Sequence, residues 1–215
     1  MSSSVPSPTG LTPSHRATLL CVAADSIRHG FTHARPLCVA SDAYPAPLRA
    51  LRATFVTLEC GDELRGCIGG LQAQWPLVED VARHAFAAAF EDPRFLPVRP
   101  EEFGTLVLSI AILNPAIPLA VHSEAELVAA LRPGRDGLIL KEGSRCSTFL
   151  PSVWEQLPDP HQFLAHLRMK AGLPPGYWSD TLRFERYTTE SFSRAIQEEE
   201  EEENIQRKGV QEKPG

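Results

Sequence analysis

The stretch LRGCIGG, which starts at residue 64, brings a thiol, a guanidinium and three glycines within seven residues. Side chains alternate between the faces of a β-strand, so a strand here places Arg65 and Cys67 on one face with Cα atoms about 6.5–7 Å apart. A guanidinium that close stabilises a thiolate, which makes Cys67 a candidate catalytic nucleophile and Arg65 the stabiliser of its thiolate or of a bound anion. The glycines lack a Cβ and lie before a predicted helix, so a ligand can approach the backbone closely and an anion can reach free N–H groups. These candidate ligand-binding residues are Gly66, Gly69 and Gly70.

Two residues outside this stretch extend the candidate site. His84, in an alanine-rich helical run, is a candidate base for the thiol. Arg94, in the sequence DPRF, offers a planar fork for a carboxylate or phosphate and is a candidate ligand-binding residue. Structural interpretations stand beside the functional ones: the cysteine is a small packed side chain, the glycines form a turn or bulge, and Arg94 ties its loop to Asp92 or to a helix C-terminus.

The elements that must position these residues mix helices and strands. The run 53–60 is rich in β-branched and aromatic residues and predicts a strand, which a turn joins to a return strand. The run 105–113 is almost wholly apolar, as is typical of a central strand buried on both faces. No regular strand–helix alternation occurs, so we predict an α+β fold with a mixed or antiparallel sheet flanked by helices. The predicted helices are 15–30 (N-cap Ser14, stop Gly30), 75–90, 123–131 and 158–172, and the strands are 53–60, 64–68, 105–113, 137–140, 145–150 and 181–192.

Charge and hydropathy limit the function classes. The 215 residues carry a formal net charge of -6, shared between a glutamate-rich tail and a nearly balanced body. Because the body has no basic stripe, we expect no nucleic-acid partner. No apolar run approaches the roughly 20 residues of a membrane span and no signal-peptide pattern opens the chain, so we expect no membrane association and a cytoplasmic location.

Cysteine and histidine spacings point to neither a disulfide framework nor a metal centre. Five cysteines with no C-x-x-C pair fit a reducing compartment. Seven histidines form no H-E-x-x-H sequence, and the P-loop and G-x-G-x-x-G patterns are absent, so we expect no metal and no cofactor. Composition divides the chain into a flexible N-terminal arm (1–13), a folded domain (14–193) and a disordered acidic tail (194–215).

Several blocks of the sequence resemble the AMMECR family, the protein A component of the AmmeMemoRadiSam system. LRGCIG at 64–69 matches the family's hallmark motif, and DPRF at 92–95 matches a second family element. The resemblance covers residues 12–193, through DGLIL, the block STFLPSVWEQLPDPHQFLAHLRMKAGLP and a closing YW. The chain departs from the family at His84, where many members have asparagine, and at Cys146, where members often have basic or small residues.

The resemblance implies an α+β fold in two unequal subdomains, with the hallmark motif lining a cleft between them. It also implies protein partners, because bacterial members are encoded with, or fused to, a Memo-like protein of dioxygenase-like fold and a radical S-adenosylmethionine (radical SAM) protein. No reaction is assigned to the family. Two functions stay open: an accessory component that docks a partner at the cleft, and an enzyme or enzyme subunit that uses Cys67 as an activated thiol.

Overall fold

The structure is a computed structural model that describes residues 10–61 and 63–196. It contains helices and two four-stranded antiparallel sheets, so the predicted α+β class is confirmed. Two compact units share the chain: the first contains the described residues up to Ala111 and again from Ser191, and the second contains Ile112–Glu190. The predicted flexible arm and acidic tail lie for the most part outside the described residues.

The elements agree with most of the predicted ones to within a few residues. The α-helices of the described ranges are α1 (Pro13–His33), α2 (Ala46–Arg49), α3 (Leu77–Phe90), α4 (Glu124–Ala130) and α5 (Pro160–Lys170). The strands are β1 (Thr54–Cys60), β2 (Glu63–Gly69), β3 (Leu106–Leu113), β4 (Ile117–Leu119), β5 (Gly137–Glu142), β6 (Arg145–Phe149), β7 (Arg183–Tyr187) and β8 (Thr189–Ala195). None of these helices is both long and apolar enough to cross a membrane.

Helix α1 begins earlier and ends later than the sequence predicts. Thr12 is the N-cap in place of Ser14, because its side chain accepts a hydrogen bond from the His15 N–H while the His15 ring accepts one from the Thr12 N–H. Gly30 does not stop the helix; a Cβ at this position would overlap the Phe90 ring of α3, so the glycine permits close helix packing. The helix ends instead before Ala34, which has a left-handed φ of 52°.

The first sheet has the strand order β2-β1-β3-β8. Helix α3 packs on β1 and β2, and α1 packs on α3. In β1 the fully buried side chains include Val56 and Leu58, which alternate with half-buried ones. Strand β3 is central, as predicted, but only alternate residues such as Leu106, Leu108 and Ile110 are fully buried over most of its length. The prediction that both its faces are buried is therefore wrong.

The second unit builds its own core on an antiparallel sheet of order β4-β7-β5-β6. At the centre of this core the Trp154 and Phe163 rings stack with centroids 3.9 Å apart. The single strand predicted over 181–192 is in fact two strands: β7 belongs to this sheet and β8 to the first. Between them lies Thr188, whose backbone carbonyl and hydroxyl accept hydrogen bonds from the backbone and side-chain amides of Asn114 at 2.9 and 2.8 Å.

Candidate functional site

Cys67 lies in β2, an edge strand of the first sheet. It pairs in register with Thr57 of β1, whose hydroxyl donates to the Cys67 Sγ at 3.2 Å. The preceding residue, Gly66, is buried against α3, so strand alternation directs the Cys67 side chain to the opposite, half-buried face. The thiol is thus neither sealed in the core nor fully exposed.

Two side chains of the DPRF sequence close the outer edge of β2 at Cys67. The Cys67 N–H donates to Asp92 Oδ2 at 2.9 Å, and the Cys67 carbonyl accepts from Arg94 Nη2 at 3.2 Å. Asp92 and Arg94 also bind each other, with Nη2–Oδ2 at 2.7 Å and Nε–Oδ1 at 3.0 Å. The pair therefore stands where a neighbouring strand would lie and satisfies backbone groups that an edge strand leaves unpaired. Of the partners considered for Arg94, the structure shows Asp92, and binding of an external ligand stays a prediction.

The Asp92–Arg94 pair is charged and adjacent to the thiol. Hydrogen bonds from Arg94, aided by the Cys67 N–H, hold the pKa of the Asp92 carboxyl well below its ordinary value. Asp92 in turn raises the pKa of the Arg94 guanidinium, and the Cys67 side chain adds a smaller contribution in the same direction. Arg94 is thus a cation bound to the backbone carbonyl of Cys67, close to the position that the sequence pattern suggested for Arg65.

Arg65 binds a different carboxylate. Its Nε and Nη2 donate to Oε1 and Oε2 of Glu102 at 2.8 and 3.2 Å, and its Nη1 and Nη2 donate to the carbonyls of Leu96 and Pro97 at 2.8 and 3.2 Å. The Arg65 hydrogen bonds lower the pKa of Glu102 to about 2. Arg65 and the Asp92–Arg94 pair together fix the segment 92–102, which we call the edge segment, against β2. Stabilisation of the Cys67 thiolate by Arg65 stays a prediction.

The motif glycines make room for the protein's own backbone. A Cβ on Gly66 would overlap the Ala88 carbonyl oxygen of α3, and a Cβ on Gly69 would overlap the Thr54 carbonyl oxygen of β1. The Gly70 N–H donates to that same Thr54 carbonyl at 3.1 Å, and α3 begins well beyond it. These amides are therefore not part of a helix N-terminus, and ligand binding by the three glycines stays a prediction.

His84 lies in a separate cluster on α3. Its Nδ1 is 3.1 Å from Asp80 Oδ2 and 3.1 Å from Thr54 Oγ1. No hydrogen bond between His84 and Cys67 occurs in the described part of the chain, so a role for His84 as base toward this thiol stays a prediction. Across the same residues, no group of three or more histidine, cysteine or acidic side chains is placed to hold a metal ion.

Sequence reasoning missed two residues of the site, Thr57 and Glu102. Thr57 could have been found from the hairpin, because a tight return after Cys60 places the residues of β1 opposite those of β2. Glu102 carries no comparable signal, since its partner Arg65 is far away in sequence and Glu101 beside it is an equal candidate.

Comparison with known proteins assigns this α+β chain, which has the LRGCIG sequence in strand β2, to one family. The AMMECR1 family model matches residues 20–192, so the chain belongs to the AMMECR1 family. It is 36% identical over 177 residues to a protein of Methanothermobacter thermautotrophicus (81% of this chain, 92% of that protein) and 37% identical over 155 residues to protein MJ0810 of Methanocaldococcus jannaschii (70% and 77%). The crystal structure of the uncharacterized protein PH0010 from Pyrococcus horikoshii is similar with a TM-score of 0.76 and 32% identity, over 83% of this chain and 90% of that one.

Proposed function

We propose that this AMMECR1-family protein is an accessory component that acts with a Memo-like protein and a radical SAM protein. It binds one of them through the surface that β2 and the edge segment form beside the LRGCIG motif. The observation that carries the proposal is the exposure of Leu96 on a fixed backbone. Arg65 Nη1 donates a hydrogen bond to the Leu96 carbonyl, yet Leu96 is 83% exposed.

The geometry around Leu96 supports binding because the side chain is presented from a fixed segment. Arg65 and the Asp92–Arg94 pair attach the edge segment to β2 on both sides of Leu96. A preorganised apolar side chain loses little conformational freedom on association, and a few buried apolar anchors supply most of the affinity of an interface. Leu64, on β2 beside Arg65, adds a second apolar side chain that is 42% exposed.

The test is a binding titration against the Memo-like and radical SAM proteins of the same organism. Leu96→Asp is expected to weaken one complex at least tenfold, because burial of a leucine stabilises by about 1.5–3 kcal/mol and 1.4 kcal/mol is a factor of ten. Leu51→Asp is the matched control, since Leu51 is 59% exposed but lies outside the edge segment. Cys67→Ala is expected to leave affinity within about twofold, because docking needs no thiol.

Two outcomes contradict the docking function. One is the absence of a complex with either partner at micromolar concentration. The other is a Leu96→Asp variant that binds as tightly as the wild type and the Leu51→Asp control.

A specific contact favours a second candidate function, in which Cys67 is the thiol nucleophile of an enzyme or enzyme subunit. Its Sγ accepts a hydrogen bond from Thr57, and the Arg94 guanidinium donates to the backbone carbonyl of the same residue. A hydroxyl donor and a nearby cation are the groups that commonly activate a thiol nucleophile. In this function Arg94 has the role that the sequence analysis gave to Arg65.

Site-resolved alkylation by iodoacetamide at pH 7, read by mass spectrometry, separates the two functions. Cys38 and Cys146 are exposed references, and a half-buried thiol reacts faster than an exposed one only when its thiolate is stabilised. If Cys67 is the nucleophile, it reacts at least about tenfold faster than both references, and Arg94→Ala removes most of that advantage. A Cys67 that is protected until the protein unfolds rejects the thiol function and leaves the docking function standing.

A further inference from the structure

Asp80 and His84, one turn apart on α3, lie side by side next to an open pocket of the first unit. The Asp80 side chain is 2% exposed, and its Oδ2 accepts the Thr54 hydroxyl at 2.6 Å. The same oxygen lies 3.1 Å from His84 Nδ1. Thr54 is fully buried in β1, so a buried carboxylate and a buried hydroxyl fix the plane of the imidazole.

These contacts also decide which ring nitrogen carries the proton. The one proton of the Thr54 hydroxyl is given to Asp80, so Thr54 Oγ1 faces His84 Nδ1 with a lone pair. The Asp80 carboxylate likewise has only lone pairs to offer. An N–H at Nδ1 gives the Thr54 oxygen a donor and faces the Asp80 carboxylate, so this tautomer is favoured and a neutral His84 then keeps its lone pair on Nε2.

The His84 imidazole borders the pocket, and its Nε2 is the ring nitrogen that faces neither Asp80 nor Thr54. His84 and Gly70, which follows β2, both line the pocket, and a Cβ built on Gly70 would lie 3.9 Å from His84 Cε1 in ordinary van der Waals contact. None of the described residues forms a hydrogen bond with Nε2. The pocket has a volume of about 350 Å³ and is lined by Gly70, Leu71, Gln72, Gln74, Trp75, Asp80 and His84.

The lining restricts the chemistry of an occupant. The Arg83 guanidinium lies 4.0 Å from the centroid of the Trp75 ring, which orients the indole and covers one of its faces, and Trp75 is nevertheless 41% exposed. Its other face suits a flat ring. The charge of Asp80 in the lining disfavours an anion, and the charge of Arg83, which lies behind the Trp75 ring and outside the lining, disfavours a cation, so the pocket suits a neutral molecule.

We propose that this pocket binds a neutral, planar molecule that carries a hydroxyl group. The hydroxyl donates to His84 Nε2, the ring lies against Trp75 and Leu71, and Asp80 is the positioning residue that holds the imidazole. This site differs from the docking surface and depends on no protein partner.

Phenol and anisole are matched probes for the proposal. Both are neutral at pH 7, since a phenolic hydroxyl ionises only near pH 10, and they differ in that anisole has no hydroxyl proton to donate. In an NMR titration of the full chain, phenol is expected to shift the backbone amides of Gly70, Leu71 and Trp75. It is also expected to bind about fivefold more tightly than anisole, the ratio that one net hydrogen bond gives.

The variant His84→Asn isolates the accepting nitrogen. With its side-chain N–H toward Asp80, its one acceptor, the amide oxygen, lies at the place of the ring Cδ2 and not at that of Nε2, so the phenol–anisole difference should fall to about onefold while anisole affinity is unchanged. In the wild type, imidazole ¹⁵N spectra should show the Nδ1–H tautomer and a phenol-induced shift that is larger at Nε2, which tests the proposal even if the variant does not fold. Equal affinities for the two probes, amide shifts outside the pocket, or a neutral ring protonated on Nε2 would each overturn it.

Discussion

Arg65→Ala should detach the edge segment from β2 and destabilise the protein. The substitution removes four hydrogen bonds, two of them to the Glu102 carboxylate, from a pair whose side chains are only 16% and 23% exposed. Hydrogen bonds to charged groups contribute about 1.5–3 kcal/mol, and the loss leaves a shielded carboxylate without its main partner. Allowing for the non-additivity of bonds in one network, we expect the free energy of unfolding to fall by about 2–4 kcal/mol.

Arg99→Ala is the matched control, because Arg99 approaches the same Glu102 carboxylate from solvent. Its Nε is 3.6 Å from Oε2, and its side chain is 76% exposed. Exposed ion pairs contribute about 0–1 kcal/mol, so urea unfolding of this variant should lie close to the wild type. Hydrogen exchange should rise over 92–102 in Arg65→Ala and stay unchanged in Arg99→Ala. Equal destabilisation by the two variants, or an edge segment equally protected in Arg65→Ala and wild type, would refute the role given to Arg65.

Two further predictions concern the same part of the fold. The pKa of Glu102 is lowered from 4.5 to about 2, so the stabilisation from its pair with Arg65 is complete above about pH 4.5 and is lost as the pH falls through about 2. After a discount for solvent access, the difference in unfolding free energy between wild type and Arg65→Ala should shrink by about 1–2 kcal/mol between pH 6 and pH 2. A difference that does not change with pH would contradict this prediction. Gly66→Ala should destabilise by about 2 kcal/mol or more because its Cβ overlaps the Ala88 carbonyl oxygen, whereas Gly176→Ala, with open space around the new methyl, should stay within about 0.5 kcal/mol in the same urea titration.

The parts of the fold that the sequence predicts are those set by near neighbours in the chain. The β-branched run of β1 and the Ser123 cap of α4 need no distant information, and both appear in the structure within a residue or two of their predicted limits. The prediction that Gly30 ends α1 is wrong, because this glycine is needed for close packing on the Phe90 ring and not for a helix end. The division of the last strand at Thr188 depends on two different sheets, which no local pattern encodes.

In the candidate site, too, the sequence predicts what depends on near neighbours and not what depends on distant residues. Strand alternation and the hairpin indicate the face of Cys67, but not the cation that lies against it. A sequence pattern favours the nearer arginine, Arg65, whereas the structure pairs Arg65 with Glu102 and brings Arg94 to Cys67 from the loop after α3. Such choices depend on side-chain contacts between residues far apart in the chain.

Strand β3 pairs with β8 although the second unit, about 80 residues long, lies between them in the chain. A ribosome adds about 5–20 residues per second, so roughly 4–16 s pass after β3 emerges before β8 has been made. During that interval the apolar run Leu106–Leu113 has one edge without its final neighbour, and edges of this kind pair with those of other nascent chains. Slow codons between Ile112 and Glu190 would lengthen this exposure and should therefore lower the yield of the folded first unit.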